Sequence, residues 1–143
     1  MRIKKIILAM MFIASTLMAS EIEWAKDYKS GIKEATKQNK PVLFVSSRHS
    51  CKWCVVLDKT TFKDPEVIKA LNKDFISIIA YSDEHDYMPR DLYRPGTPAI
   101  WFLLPTGRPM YQPIPGAIKS DQMLQAIAII KKEFDALNKT GKK

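Results

Sequence analysis

Two continuous apolar runs stand out along the chain, Val42–Val45 and Phe75–Tyr81, the second broken only by Ser77. Neither alternates with polar residues, as a strand with one wet face would. Both therefore predict strands covered on two sides, as in the middle of a sheet between helices. The segments around them carry the other periodicity. Trp24, Tyr28, Ile32 and Ala35 recur at spacings of three and four, predicting a helix over Glu21–Asn39 that stops at Asn39-Lys40-Pro41. Gly31 weakens that helix by its backbone freedom. A second helix is expected from Cys51 to about Phe62, with Cys54 and Leu57 inward and Lys52 and Lys59 outward. Asp64-Pro65-Glu66 restarts it, with an acid as N-cap and proline at the first helical position, and Asn72-Lys73 ends it.

Beyond Tyr81 the pattern loosens. Ser82–Gly96 is polar and irregular, with one helical turn expected over Pro89–Tyr93. Pro98–Leu104 reads as a third strand and Pro105–Arg108 as a turn. Met110-Tyr111-Gln112 then returns as an antiparallel fourth strand, which Pro113 and Pro115 mark as a sheet edge. A last helix is expected from Ser120 to about Asn138, with Met123, Leu124, Ile127, Ile130 and Phe134 as its apolar stripe and Lys139–Lys143 as a disordered tail. The order predicts an α/β domain: a three-layer α/β/α sandwich around a mixed four-stranded sheet, its parallel pair joined by a right-handed crossover.

The first twenty residues follow another logic. A basic start, Arg2, Lys4 and Lys5, precedes an apolar run from Ile6 to Met18, then small residues before Glu21. This is the pattern of a secretory signal peptide, 1–20, cleaved after Ala19 or Ser20. A retained membrane anchor is the alternative, but the run of about 13 residues is short of the roughly 20 that a spanning helix needs. No cysteine lies at the cleavage region to take a lipid. The folded unit is then 21–143. The formal charge of +8 includes three of the leader's cations, so the mature chain carries 8 − 3 = +5. A lysine-rich solvated surface accounts for that surplus, and no basic patch interleaved with aromatics points to nucleic acid. With 46% hydrophobic and 27% charged residues the composition is globular.

Export changes what the cysteines mean. The chain has two, Cys51 and Cys54, at C-x-x-C spacing, where the first strand feeds a helix N-terminus. The free N–H groups and dipole there stabilise a thiolate, and an oxidising compartment favours a disulfide between so close a pair. A structural disulfide is the plain rival to a redox pair. A zinc site would need His49 and His85 at spacings unlike a finger, and Val55 stands where haem attachment would need histidine. Asp83-Glu84-His85-Asp86 reads more simply as a solvated acidic loop than as a metal cluster. No cofactor and no metal is expected.

Cys51-Lys52-Trp53-Cys54 after the first strand, with Gly96-Thr97-Pro98-Ala99 before the third, resembles the thioredoxin fold over the whole mature chain. The run from Cys51 to Tyr81 is most similar to exported thioredoxin-like thiol–disulfide oxidoreductases. These include the C-terminal domain of the periplasmic membrane electron transporter. The resemblance implies a redox-active disulfide, Cys51–Cys54, with Cys51 as nucleophile and Cys54 as the resolving thiol. Lys52, Arg48 and His49 would add positive potential, with Trp53 inside the motif as a further tuning residue. By the same resemblance Thr97 offers backbone groups to the substrate, and a cis-Pro98 shapes the groove and keeps metal off the thiols.

Two positions depart from the family. Val45 replaces the buried acid of the first strand, leaving Asp58, Asp83 and Glu84 as candidate substitutes. Ser50 stands where tryptophan usually precedes the first cysteine. The expected protein is a monomeric periplasmic reductase of a Gram-negative bacterium. It would draw electrons from a membrane thiol transporter and pass them to a disulfide-containing substrate protein, such as an apocytochrome c. An oxidase or isomerase of the same fold, and a non-catalytic module with a structural disulfide, are the alternatives.

Overall fold

The computed structural model describes residues 21–141. The leader read at 1–20 lies outside them. The described chain runs α1 (Tyr28–Gln38), β1 (Val42–Ser47), α2 (Lys52–Lys59), α3 (Pro65–Asp74), β2 (Ile76–Tyr81), β3 (Ala99–Leu103), β4 (Ile114–Pro115) and α4 (Ser120–Thr140), with short 3-10 turns at Thr61–Lys63, Ser82–Glu84 and Arg90–Leu92. The sheet order is β2-β1-β3-β4. β1 pairs parallel with β2 and antiparallel with β3, and β4 runs antiparallel to β3. This is the expected mixed four-stranded sheet between helical layers.

The apolar runs behave as their pattern requires. Every residue of β1 is buried, because successive side chains serve opposite cores. Leu43 and Val45 join Leu57, Phe62, Leu71, Phe102, Met123 and Ile127 under α2, α3 and α4. Val42 and Phe44 join Ala35, Ile78, Leu92 and Trp101 on the face covered by α1. Asp64 caps α3 by accepting from the N–H groups of Glu66 and Val67, with Pro65 next, as the sequence implies.

Four expectations are corrected. α1 begins at Tyr28, not Glu21, because Asp27 accepts the Ser30 N–H and sets the N-cap there. Residues before it run extended along β2: Trp24 bridges Ser77, and the Ala25 N–H donates to the Ser77 carbonyl at 2.8 Å. Trp24 thus packs edge-on to Phe62 rather than on a helix face. α2 stops at Lys59, where the Thr60 hydroxyl turns back to the Val56 carbonyl, so the helix breaks before Phe62. The fourth strand is Ile114–Pro115, not 110–112. Pro109 and Pro113 bracket that segment and lack the N–H a continuous ladder needs. Its backbone links to β3 are the Leu103–Pro109 bridge and the Met110 N–H, which donates to the Phe102 carbonyl. Finally, α4 continues through Lys139 and Thr140, into the stretch expected to be disordered.

Gly31 also takes a new meaning. A Cβ there would overlap the Ile78 side chain, so glycine lets α1 lie directly on β2. The helix penalty read from the sequence is offset by that close approach.

Candidate active site

Strand register gathers the site. Ser47 pairs with Tyr81 and Ser46 with Ala99, so the segments following β1 and β2 and the one preceding β3 emerge at one end of the sheet. There Arg48–Cys51, Ser82–Glu84 and Gly96–Pro98 meet. Cys51 is the N-cap of α2, and its Sγ accepts from the Cys54 N–H at 3.3 Å. The Cys51 thiol reaches across to the Thr97 carbonyl at 3.4 Å, joining the C-x-x-C turn to the Thr97–Pro98 peptide, which is cis. The Pro98 carbonyl is taken by the Gly116 N–H, which ties this segment to the chain just after β4.

Both cysteines are thiols here, and their surroundings differ. Cys51 is partly exposed and Cys54 is buried. Burial raises the Cys51 thiol, but hydrogen bonding from Cys54 and Thr97 and from the backbone of Cys54 and Trp53 outweighs it. The net result lies below an ordinary thiol. Desolvation pushes Cys54 up, and its neighbour Cys51 pushes it further, against weaker help from Ser47, Thr97 and the Arg48 backbone. The two sulfurs are thus shifted in opposite directions, Cys51 toward the thiolate and Cys54 toward the thiol.

The structure brings Cys51, Cys54, Thr97 and Pro98 together and sorts the expected tuning residues. Lys52 is exposed at the start of α2, its Nζ 5.3 Å from the ring centroid of Trp53. Trp53 is 56% exposed and faces outward beside the cysteines. His49 is engaged elsewhere. Its ring stacks on Tyr81 with centroids 3.9 Å apart, and its Nε2 lies 2.8 Å from Glu84 Oε1. The main forces on the Cys51 thiol are burial and hydrogen bonds rather than His49.

The acidic loop has a job that no local signal reveals. Asp83 Oδ2 accepts from the N–H groups of His49 and Ser50, at 2.8 and 3.2 Å, and so holds the approach to Cys51. Desolvation opposes the Asp83 charge, yet these backbone donors leave its carboxyl below the usual range. Asp86 accepts the Tyr81 N–H at 2.9 Å. Among the described residues no group of histidine, cysteine and acid side chains is arranged to hold a metal.

Of the three candidate substitutes for the acid missing at Val45, Asp83 and Glu84 are exposed and Asp58 is half-buried. Asp58 stands four residues after Cys54 on the same side of α2. Desolvation raises its carboxyl, opposed by the charges of His49 and Lys63. Tyr81 registers the same cluster. Burial first, then the negative charges of Asp58, Glu84, Cys54 and Asp86, push its phenol to about 12. No local pattern marks Tyr81; the β1–β2 register brings it here.

Residues 12–114 match the sequence model of the family Thioredox_DsbH, described as "Protein of unknown function, DUF255". The chain belongs to this family. The sheet order and the C-x-x-C turn give the chain a thioredoxin-like fold, in keeping with the family's name. The chain is 27% identical over 129 residues to Anterior gradient protein 3 of Mus musculus, a match covering 80% of this chain and 76% of that protein. Other curated relatives are spanned over less, as little as 7% of their length for Spermatogenesis-associated protein 20 of Homo sapiens. The fold of this Thioredox_DsbH chain is also that of a thioredoxin from Thermus thermophilus (TM-score 0.69, 19% identity, 82% of this chain and 93% of that one). It is likewise that of the DsbD C-terminal domain from Neisseria meningitidis (TM-score 0.56, 20% identity, 68% and 87%). No helix among the described residues is long and apolar enough to cross a membrane.

Proposed function

We propose that this chain is an extracytoplasmic protein-disulfide reductase, working as a folded unit over 21–143 after removal of the leader at 1–20. The observation that carries the reading is the unequal pair: an accessible Cys51 thiol lowered by hydrogen bonds beside a buried Cys54 thiol raised by desolvation.

The Cys51 thiolate attacks one sulfur of a substrate disulfide. That S–S bond breaks, a Cys51–substrate disulfide forms, and the first substrate sulfur leaves and takes a proton. Cys54 then gives up its proton and attacks the Cys51 sulfur. The second substrate thiol leaves, and the protein holds a Cys51–Cys54 disulfide. The substrate has gained two electrons and two protons. We assign Asp58 as the acceptor of the Cys54 proton, in place of the acid absent at Val45. Its desolvated position one turn along α2 supports this role. The Thr97 carbonyl faces the Cys51 sulfur, and the Thr97 backbone lies where an extended substrate segment would pair. A dithiol donor must restore the reduced pair. The likeness to a DsbD C-terminal domain supports a membrane thiol transporter in that place.

The deciding experiment is the equilibrium redox potential of the pair in mature protein against glutathione buffers. A value of about −250 mV or lower is expected of a reductase with a dedicated electron source. A value near about −120 mV would make the chain an oxidant and reverse the proposed electron flow. Absence of exchange would leave only a structural disulfide.

A further inference from the structure

Three open grooves join around the Cys51 sulfur. One, of about 570 Å³, runs along α2 past Cys51, Lys52, Val55, Val56 and Lys59. A second, of about 460 Å³, follows Arg94, Thr97 and Pro98 toward Pro113. A third, of about 290 Å³, lies between them, with Arg48, Asp83, Tyr93 and Arg94 in its walls. It shares Ser50 with the first and Arg94 and Thr97 with the second, so the three form one track past the sulfur.

The charge of that track is one-sided. Its walls hold Arg48, Lys52, Lys59 and Arg94, and among the described residues none of the four is ion-paired. His49 adds a fifth basic side chain, already matched by Glu84. The single carboxylate in the walls, Asp83, is spent on the N–H groups of His49 and Ser50.

Arg94 is also set in place before any ligand arrives. Its Cζ lies 4.6 Å from the ring centroid of the buried Trp101, and its Nη1 donates to the Asp91 and Tyr93 carbonyls at 3.2 and 2.7 Å. The Trp101 Nε1–H is in turn fixed on the Leu92 carbonyl at 3.1 Å. A guanidinium anchored in this way by a ring and two carbonyls loses little freedom on meeting a carboxylate. Tyr93, 55% exposed, gives the third groove an apolar wall.

We propose that this track is a docking surface for an extended segment of a partner protein with aspartate or glutamate within a few residues of its disulfide cysteine. Arg94 is its specificity-determining residue on the Pro98 side, and Lys52 and Lys59 serve on the α2 side. The proposal names the substrate class of the site and rests on the oxidoreductase reading for its purpose. It does not rest on that reading for binding.

The test uses the mature chain and two synthetic peptides of equal length, one with acids flanking a central cysteine and one with lysines. With serine in place of the cysteine and a fluorescent label, the acidic peptide is expected to bind about tenfold or more tightly than the basic one at low salt. The gap should close to about twofold in high salt, as exposed charge attraction is screened. Arg94→Met, which keeps packing on Trp101, lowers that ratio about threefold or more. Lys132→Met, an equal loss of charge on the exposed side of α4, leaves it in place. Equal binding of the two peptides by the wild-type chain overturns the proposal, as does a ratio that Arg94→Met does not move.

The same peptides, as mixed disulfides with a small thiol, are then offered to prereduced protein beside the uncharged dihydroxyethyl disulfide. Reduction of all three without charge preference sinks the docking surface while the reductase reading stands. Charge-selective binding with no reduction of any of them sustains the surface and sinks the reductase reading.

Discussion

The outer rim of the site and its inner wall lie one helical turn apart and do opposite things to a thiol. The rim holds Cys51 at the N-cap of α2, where N–H donors and the Thr97 segment converge on a partly exposed sulfur and lower its pKa. The inner wall holds Cys54 under the first turn, against Ser47 and near the Asp58–Tyr81 cluster, where loss of water raises every acid present. Identical side chains three residues apart therefore become different reagents. The difference teaches that motif spacing provides the pair, while burial divides the roles.

Removing each sulfur in turn is the strongest way to break this comparison. Cys51→Ser should lower disulfide reduction by about a hundredfold or more, since no nucleophile remains at the rim. Cys54→Ser should keep the first attack and accumulate a one-to-one mixed disulfide, visible by intact mass. A Cys51→Ser protein that still reduces substrate would erase the distinction.

Alkylation with iodoacetamide, followed residue by residue, sharpens it. For reduced protein at pH 7, Cys51 should label about tenfold or more faster than Cys54. The Cys51 rate should fall with decreasing pH only below the ordinary thiol value of about 8.5, because its thiolate persists to lower pH. Cys54 should begin to label above that value, as its proton is held more tightly. Equal labelling of the two would contradict the burial argument.

The smallest expected effect comes from the inner wall itself. Asp58→Asn should lengthen the life of the mixed disulfide about threefold to tenfold, with the first attack little changed. The same variant should be more stable at neutral pH. A raised carboxyl pKa means that the folded state disfavours the charge. That destabilisation is absent below the unfolded value of about 3.9 and is present once pH passes the folded value. The stability gain should therefore shrink as pH falls toward 4, a trend that thermal unfolding at several pH values would check. A resolving step unchanged in the variant would leave Cys54 without Asp58 as its base.

The rim of this site was far more legible than the wall. The apolar run of β1, the cysteines behind it and the Asp64-Pro65 start of α3 are local signals, complete within a few residues of chain. The tether from Asp83 to His49 and Ser50 spans more than thirty residues, and the seat of Arg94 on Trp101 needs a strand and a loop brought together. Neither has a spacing to be read. Met110–Gln112 looked like a strand because its composition suits one, yet the prolines on either side and the geometry of β3 moved the pairing to Ile114–Pro115.

By itself the sequence determined the order of elements, the layers they form and the position of Cys51 and Cys54 at a helix start. Hydrophobic period, caps and prolines act within one or two turns of chain. Only the tertiary structure decided which acid is partly withdrawn from water, which cation is unpaired and which thiol is exposed. Those properties belong to the distance between remote segments and to the water left among them. The same carboxylate is a surface charge at Glu84, a backbone tether at Asp83 and a half-buried group with a raised pKa at Asp58, one turn along α2 from Cys54.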